Sequence, residues 1–326
     1  MNPKDDKLTR TNNEAGDINQ TSGKLDTEFF RADPNRFIEN AIREYVRTSP
    51  LNHLITFENE PIFEEPIVVF GKGDNPVFQN LKTIIGEFHL TPLEVMEKHI
   101  KAKRWRYGVK SSLESLSVIS WALPIAEKTR LVERKAAFGG STRYNHTRWR
   151  GVPFAEHLAT YVAVLLEVLG QNAVSPCFSK YFDIKEMPGG WRAANWSERH
   201  IAYACGMGTF GLNGLMITPK GCAVYLFSVV CDAALTPTLN SYSSHVANCL
   251  FYLDGSCKQC LERCIATAIS EQGRSNLPCA KNLGREQAEK LKSQGLDKDL
   301  IGPAPACGRC STGVPCEHGI PEHLAR

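Results

Sequence analysis

The residues best suited to chemistry in this sequence are cysteines, and they are gathered in its last quarter. Eight of the twelve lie between Cys249 and Cys316. Cys249, Cys257, Cys260 and Cys264 form one group, Cys279 stands alone, and Cys307, Cys310 and Cys316 form the last. A close C-x2-C pair lets two thiolates reach one metal centre from a single turn. Eight thiolates match the demand of two four-iron clusters, since each takes four. Paired C-x2-C knuckles also make zinc sites, although a lone cysteine between two half-runs fits zinc less well. Disulfides are the third alternative, disfavoured because no secretory segment leads the chain.

In two-cluster ferredoxins three cysteines of a run hold one cluster and the last holds the other. Cys257, Cys260 and Cys264, spaced C-x2-C-x3-C, follow that rule, and Cys307-x2-Cys310 with Cys316 mirrors it. The expected division is therefore crosswise. Cys249, Cys257, Cys260 and Cys316 would hold one [4Fe-4S] cluster, and Cys264, Cys279, Cys307 and Cys310 the other. Two details depart from the bacterial run. Asp254 stands where its first cysteine would be, and Ile265 where a proline would follow its fourth. The remaining cysteines, Cys177, Cys205, Cys222 and Cys231, sit in apolar context and read as small core residues.

These thiols need elements that position them. The 326 residues are 42% hydrophobic and 22% charged, the composition of a globular protein with a sizeable core. A net charge of +3 implies neither nucleic acid nor membrane as partner. No apolar stretch in the sequence reaches spanning length, and no twin-arginine pair or apolar leader is seen, so a cytoplasmic protein with no membrane partner is expected. Residues 1–30 are polar and aperiodic and read as a disordered tail. Asp33-Pro34 opens a helix, with Phe37, Ile38, Ala41, Ile42, Tyr45 and Val46 on one face. Ile67 to Phe70 reads as a buried strand, with a turn at Gly71 and Gly73. Leu81 to Phe88 reads as a helix, and Thr91-Pro92 starts another. Residues 101–110 interleave basic side chains with Trp105 and Tyr107, which fits either RNA contact or a solvated helix face. A strand lies within Leu113 to Ile125. Phe138 to Gly151 reads as a loop whose donors, Arg143, Tyr144, His146, Arg148 and Arg150, could grip a ligand. His157 to Leu169 is amphipathic and helical, ended by Gly170, and Ala173 begins the next strand.

The stretch from Arg192 to Val230 carries a further pattern: Glu198-Arg199, Ala202, Gly206, Gly208, Gly211 and Asn213, then LMITP and Gly221. With the cysteine segment after it, this stretch resembles the epoxyqueuosine reductases and the catalytic core of the reductive dehalogenases. The resemblance is specific over the last 130 residues or so and diffuse before them. It implies an α/β (α+β) nitroreductase-like core over residues 31–240, followed by a bacterial-type two-[4Fe-4S] ferredoxin domain over 241–326. It also implies an oxidoreductase with base-off cobalamin in the core, for which Gly206, Gly208, Gly211 and Asn213 are the candidate binding residues. Reduced cobalt would attack or reduce the substrate. The expected reaction removes an oxygen or halogen substituent, or cleaves a carbon–heteroatom bond, with electrons from an external ferredoxin or flavodoxin. In the epoxyqueuosine reductases a catalytic aspartate stands seven residues before the arginine of the Glu-Arg pair, and here that residue is Arg192. A guanidinium cannot serve as the acid, so Arg192 is expected to hold an anionic group. Tyr144 is the candidate proton donor, as a tyrosine is in the dehalogenases. A small-molecule substrate is the first expectation. The alternatives are an electron-transfer protein that reduces a partner's corrinoid, and a tRNA epoxyqueuosine reductase.

Overall fold

The structure, a computed structural model, describes residues 27–322 apart from 108–112, 114, 138–139 and 296, and leaves out the side chains of 104–107 and 285–286. Its centre is a four-stranded antiparallel sheet. The strands are β1 (Ile67–Lys72), β2 (Ser117–Pro124), β3 (Ala173–Val174) and β4 (Val224–Cys231), in the order β1-β2-β4-β3. Strand β2 is buried at every position, because helices cover both faces of the sheet. Side chains alternate between those faces. Ile119, Trp121 and Leu123 of β2 join Phe227, Val229 and Cys231 of β4 in one core, while Val118, Ala122 and Val230 belong to the other.

The first core is closed by α1 (Pro34–Thr48) and by the long α5 (Thr142–Val168). Asp33 caps α1 through the amide of Arg36, and Pro34 opens it, as the sequence predicts. Phe154, Leu158, Val162 and Leu166 of α5 are at most 1% exposed. This helix is also long and apolar enough in composition to cross a membrane, but here its apolar face is core. The second core is closed by α2 (Pro76–Ile84), α3 (Pro92–Tyr107) and α6 (Glu198–Ala204). Thr91 and Glu94 exchange hydrogen bonds in a capping box that starts α3. Helix α4 (Glu127–Arg134) links β2 to α5.

Three expectations change, and a fourth falls largely outside the described residues. Residues 27–32 are helical, and Phe30 is buried against Phe37, so ordered chain reaches into the segment expected to be a tail; residues 1–26 lie outside the described residues. Helix α2 starts at Pro76, capped by Asn75, and stops at Ile84 rather than running from Leu81 to Phe88. The basic-aromatic stretch 101–110 enters the end of α3, and its side chains from 104 onward lie outside the described residues. The donor-rich stretch read as a loop forms the first turns of α5, capped by Ser141 through the amide of Tyr144.

The cysteine-bearing segment carries α7 (Leu250–Asp254), α8 (Gln259–Glu262), α9 (Asn276–Lys281), a π-helical turn (Asn282–Glu286) and α10 (Gln287–Ser293). It crosses the boundary expected near residue 240. Ala306 lies in the first core, and the amides of Cys222 and Ala223 donate to the carbonyls of Cys316 and Glu317 at 2.7 and 3.1 Å. The C-terminal run is thus pinned to the residues that lead into β4.

Candidate metal centres and their cleft

Every cysteine is free of disulfide bonding. Cys249 is the N-cap residue of α7, Cys260 lies in α8, and Cys279 lies in α9. Cys249, Cys257, Cys260 and Cys316 all line one narrow cavity, whose other walls, Asn213 apart, are apolar, among them Leu212, Ile217, Val314 and Pro315. Cys264, Cys279, Cys307 and Cys310 all line a second cavity, a cleft of about 700 Å³. The two sets of four are those of the crosswise division. Among the described residues no three Cys, His, Asp or Glu side chains converge on one point as ligands of a single metal ion do. A cluster distributes its thiolates around several irons, so such convergence is not required of it.

The donor set suits clusters in a second respect, because sulfur already receives hydrogen bonds. The amide of Ala268 donates to Cys264 Sγ at 3.3 Å, and Arg274 Nη2 lies 3.2 Å from Cys279 Sγ. In the first set Cys222 Sγ stands 3.6 Å from Cys316 Sγ, and that contact holds the Cys316 thiol below its ordinary value. Burial pushes the thiols of Cys260 and Cys307 up to about 12 and that of Cys310 up to about 11. Metal binding would therefore release protons from buried thiols.

Asn213 separates the two cavities. It lines the narrow one, its Nδ2 donates to the Cys310 carbonyl at 2.7 Å, and its Oδ1 accepts from the Leu215 amide at 3.0 Å. Cys222 lines the cleft while its sulfur touches the narrow cavity's Cys316. Its place between the two sets is one that composition did not reveal, although it is buried as expected.

The other predicted site residues are placed differently. Tyr144 is buried and lines the cleft with Cys307 and Cys310, and burial raises its hydroxyl well above the ordinary tyrosine value. It is a neutral phenol facing the second set. Arg192 does not share that place: it is exposed on a two-stranded ribbon, opposite Glu186, and does not line the cleft. Gly206 and Gly208 do not line it either. A side chain at Gly208 would strike the backbone of Ile217 and Thr218, so the close approach this glycine permits is between two segments of the protein. Gly206 has φ +79° and turns the chain after α6. Gly211 and Asn213 line the narrow cavity, beside the first set of cysteines.

The donors at the start of α5 also have partners within the chain. Asn145 accepts from the Ile301 amide and donates to the Ala304 carbonyl, which Trp149 Nε1 also reaches at 2.7 Å. His146 Nε2 is 2.8 Å from the Asp299 carbonyl, and Arg143 pairs with Glu60 at 2.6 Å. These polar side chains are buried because the segment from 299 to 308 lies across them. Arg148 and Arg150 are exceptions, both exposed; Arg148 lines the cleft and stacks over Tyr225 and Trp149, whereas Arg150 does not line it.

Two buried glutamates fasten the last cysteines. Glu133, its carboxyl pushed up to about 7 by burial, accepts from the amides of Ser141 and Gly308. Glu317 is 2% exposed and accepts from Arg130, Arg134 and the Gly313 amide. Cys307 and Cys310 flank the first anchor, and Cys316 adjoins the second.

No protein-family model matches the sequence, and no curated protein does. Solved structures of epoxyqueuosine reductase are among those similar in fold. A selenomethionine-labelled form is 16% identical with a TM-score of 0.37, covering 79% of this chain and 63% of its own. The Bacillus subtilis enzyme, with its catalytic loop swung out of the active site, is 18% identical with a TM-score of 0.31, covering 80% and 63%. A complex with an epoxyqueuosine-modified tRNA-Tyr stem loop is 16% identical with a TM-score of 0.36, covering 87% and 66%. The chain thus spans less than two thirds of the length of these structures. Likeness at this level assigns neither activity nor substrate.

Proposed function

We propose that this chain is an iron–sulfur reductase in which two [4Fe-4S] clusters relay single electrons to a substrate held in the cleft. The observation that carries the reading is the sorting of eight cysteines into two fours on separate cavities, one of which is the cleft. Volume favours an enzyme over an electron-transfer module. A cleft of about 700 Å³ lies within the range of small-molecule sites, about 300–1,000 Å³. The second cluster would fill only part of that space.

From the sequence resemblance, the group beside the second set would be cobalamin, which when bound supplies a strong low-potential reductant. The cleft offers it apolar walls at Leu226 and Phe227 and polar contacts at Arg148 and Tyr225. Gly206 and Gly208 take no part, since they face other segments of the chain. Tyr144 is the proton donor in this reading: its buried, protonated hydroxyl lies in the cleft wall with Cys307 and Cys310, whereas the Tyr225 hydroxyl, also raised by burial, is engaged by Arg148. Arg192 has no catalytic role in it. The substrate would be a small molecule with a reducible carbon–oxygen or carbon–halogen bond.

The test is anaerobic reconstitution followed by metal analysis. About eight irons and eight sulfides per chain are expected, with cobalt retained when cobalamin is offered. Zinc in place of iron, or iron for one cluster alone, would overturn the reading. Iron without cobalt would leave the clusters and remove the corrinoid.

A further inference from the structure

The two cysteine sets lie in unequal electrostatic surroundings. The narrow cavity of Cys249, Cys257, Cys260 and Cys316 has no basic side chain in its lining. The cleft set has several. Arg274 directs Nη2 at Cys279 Sγ, 3.2 Å away, and Arg199 stands next to it. The stem of Arg274 and the guanidinium of Arg199 meet at Gly214: a side-chain carbon there would lie 3.5 Å from Arg274 Cβ and 3.8 Å from Arg199 Nη1, and Arg199 donates to the Gly214 carbonyl. Burial, and then the charge of Arg274, lowers the Arg199 pKa. Neither arginine has a carboxylate partner within ion-pair distance among the described residues, and no Asp or Glu lines the cleft. Two like charges have been brought together beside four thiols with no protein anion to balance them. The balancing charge belongs to what the thiols bind.

Hydrogen bonds to sulfur and local charge set cluster potentials. A charged N–H donor is about twice as strong as a neutral one. The cleft set has that donor besides the amides of Ala268 and Arg309, whereas the other set has no charged donor, its sulfurs meeting the Gln259 amide and the Cys222 thiol. Resting on the two-cluster reading above, the geometry points to Arg274, with Arg199 behind it, as the device that makes the cleft cluster the easier of the two to reduce and so sends electrons inward. One electron leaves the cluster of the narrow cavity, which is oxidised by one unit, and enters the cleft cluster, which is reduced by one unit. The first cluster is re-reduced by an external one-electron donor, and no proton or covalent bond is exchanged in the step.

The experiment is an electron paramagnetic resonance redox titration of the reconstituted full chain, with dithionite as the one-electron reductant. Cys257→Ser marks the signal of the narrow-cavity cluster, and the expected result is that this signal has the lower potential. Arg274→Gln should move only the other signal, to a more negative potential. The expected shift is a tenfold redistribution of the electron or more, about 59 mV. Arg274→Lys should give a smaller shift, since the charge stays and the fork is lost. Arg199→Gln should shift the same signal, and it carries the test if Arg274→Gln fails to retain iron. The proposal is overturned if the Cys257-marked signal is the higher one, or if neither arginine variant moves the cleft signal while iron is retained. A wild-type chain that takes up no iron refutes the cluster reading itself, and that result is separate from the others.

Discussion

Gly208 shows how a residue can be read correctly for its type and wrongly for its neighbour. Two segments meet where only hydrogen fits, but the second is the strand at Ile217 and Thr218, which the local sequence gives no means of choosing over a ligand. Gly208→Ala should therefore lower stability by about 1–3 kcal/mol, an overpacking cost, in chemical denaturation of the cluster-free chain. Full stability in that variant would return the position to ligand binding. Glu198 makes a second prediction, on pH. Its carboxyl, in the second core, accepts from Ser228 at 2.7 Å, its Oε1 has no partner, and burial pushes it up to about 8 from an ordinary 4.5. The folded chain thus binds this proton more tightly than the unfolded chain. Its contribution is full below the ordinary value and is lost as pH rises toward about 8. His89 and His200 act in the opposite direction. Burial lowers both to about 4 from 6.5, so their contribution is present above 6.5 and lost as pH falls toward 4. The melting temperature should be highest near pH 6, and Glu198→Gln should flatten the decline toward pH 8 while leaving the slope below pH 4.5 unchanged. An unaltered alkaline slope in that variant would remove Glu198 as its cause.

At the scale of elements, the sequence shows most where periodicity and caps coincide and least where polar residues are buried by distant chain. Helix α1 was legible from Asp33-Pro34 and its apolar face, and β2 from its unbroken apolar run. The start of α5 was not. Arg143, Asn145 and His146 look like surface donors because the carbonyls and amides they bind are about 150 residues away, between 299 and 304, or, for Arg143, at Glu60. The same blindness applies to Glu317, which has no local pattern yet gathers two arginines and an amide around the turn bearing Cys316. Breaking such a buried arrangement from one side costs about 3–5 kcal/mol. Glu317→Ala should loosen the Cys316 turn. It should lower iron retention in the narrow cavity before the cleft, read as loss of about half the iron on mild chelation. Equal loss from both sets, or none, would separate the clamp from the metal site.

For the whole molecule, the cysteine-bearing run is interleaved with the core expected over residues 31–240. Ala306 joins the first core, and Cys316 and Glu317 pair with the residues leading into β4. Sequence spacing proposes which cysteines go together, because the pairing of half-runs is written in intervals of two and three residues, and the two cavities are lined by those same two sets. It gave no view of the cleft, which exists only where α5, β4 and the segments bearing Cys264 and Cys307 face one another. Interleaving makes the crosswise division testable without a structure. Cys310 and Cys316 are neighbours in one short run, but Cys310 lines the cleft and Cys316 lines the narrow cavity. Cys310→Ala and Cys316→Ala should each lower iron from about eight to about four per chain, and the double variant should bind almost none. Were each run to hold its own cluster, both substitutions would strike the same cluster, and the double variant would keep about four irons. Cys222→Ala serves as the reference, since Cys222 touches Cys316 at 3.6 Å without belonging to either set, and its iron content should equal that of the parent chain.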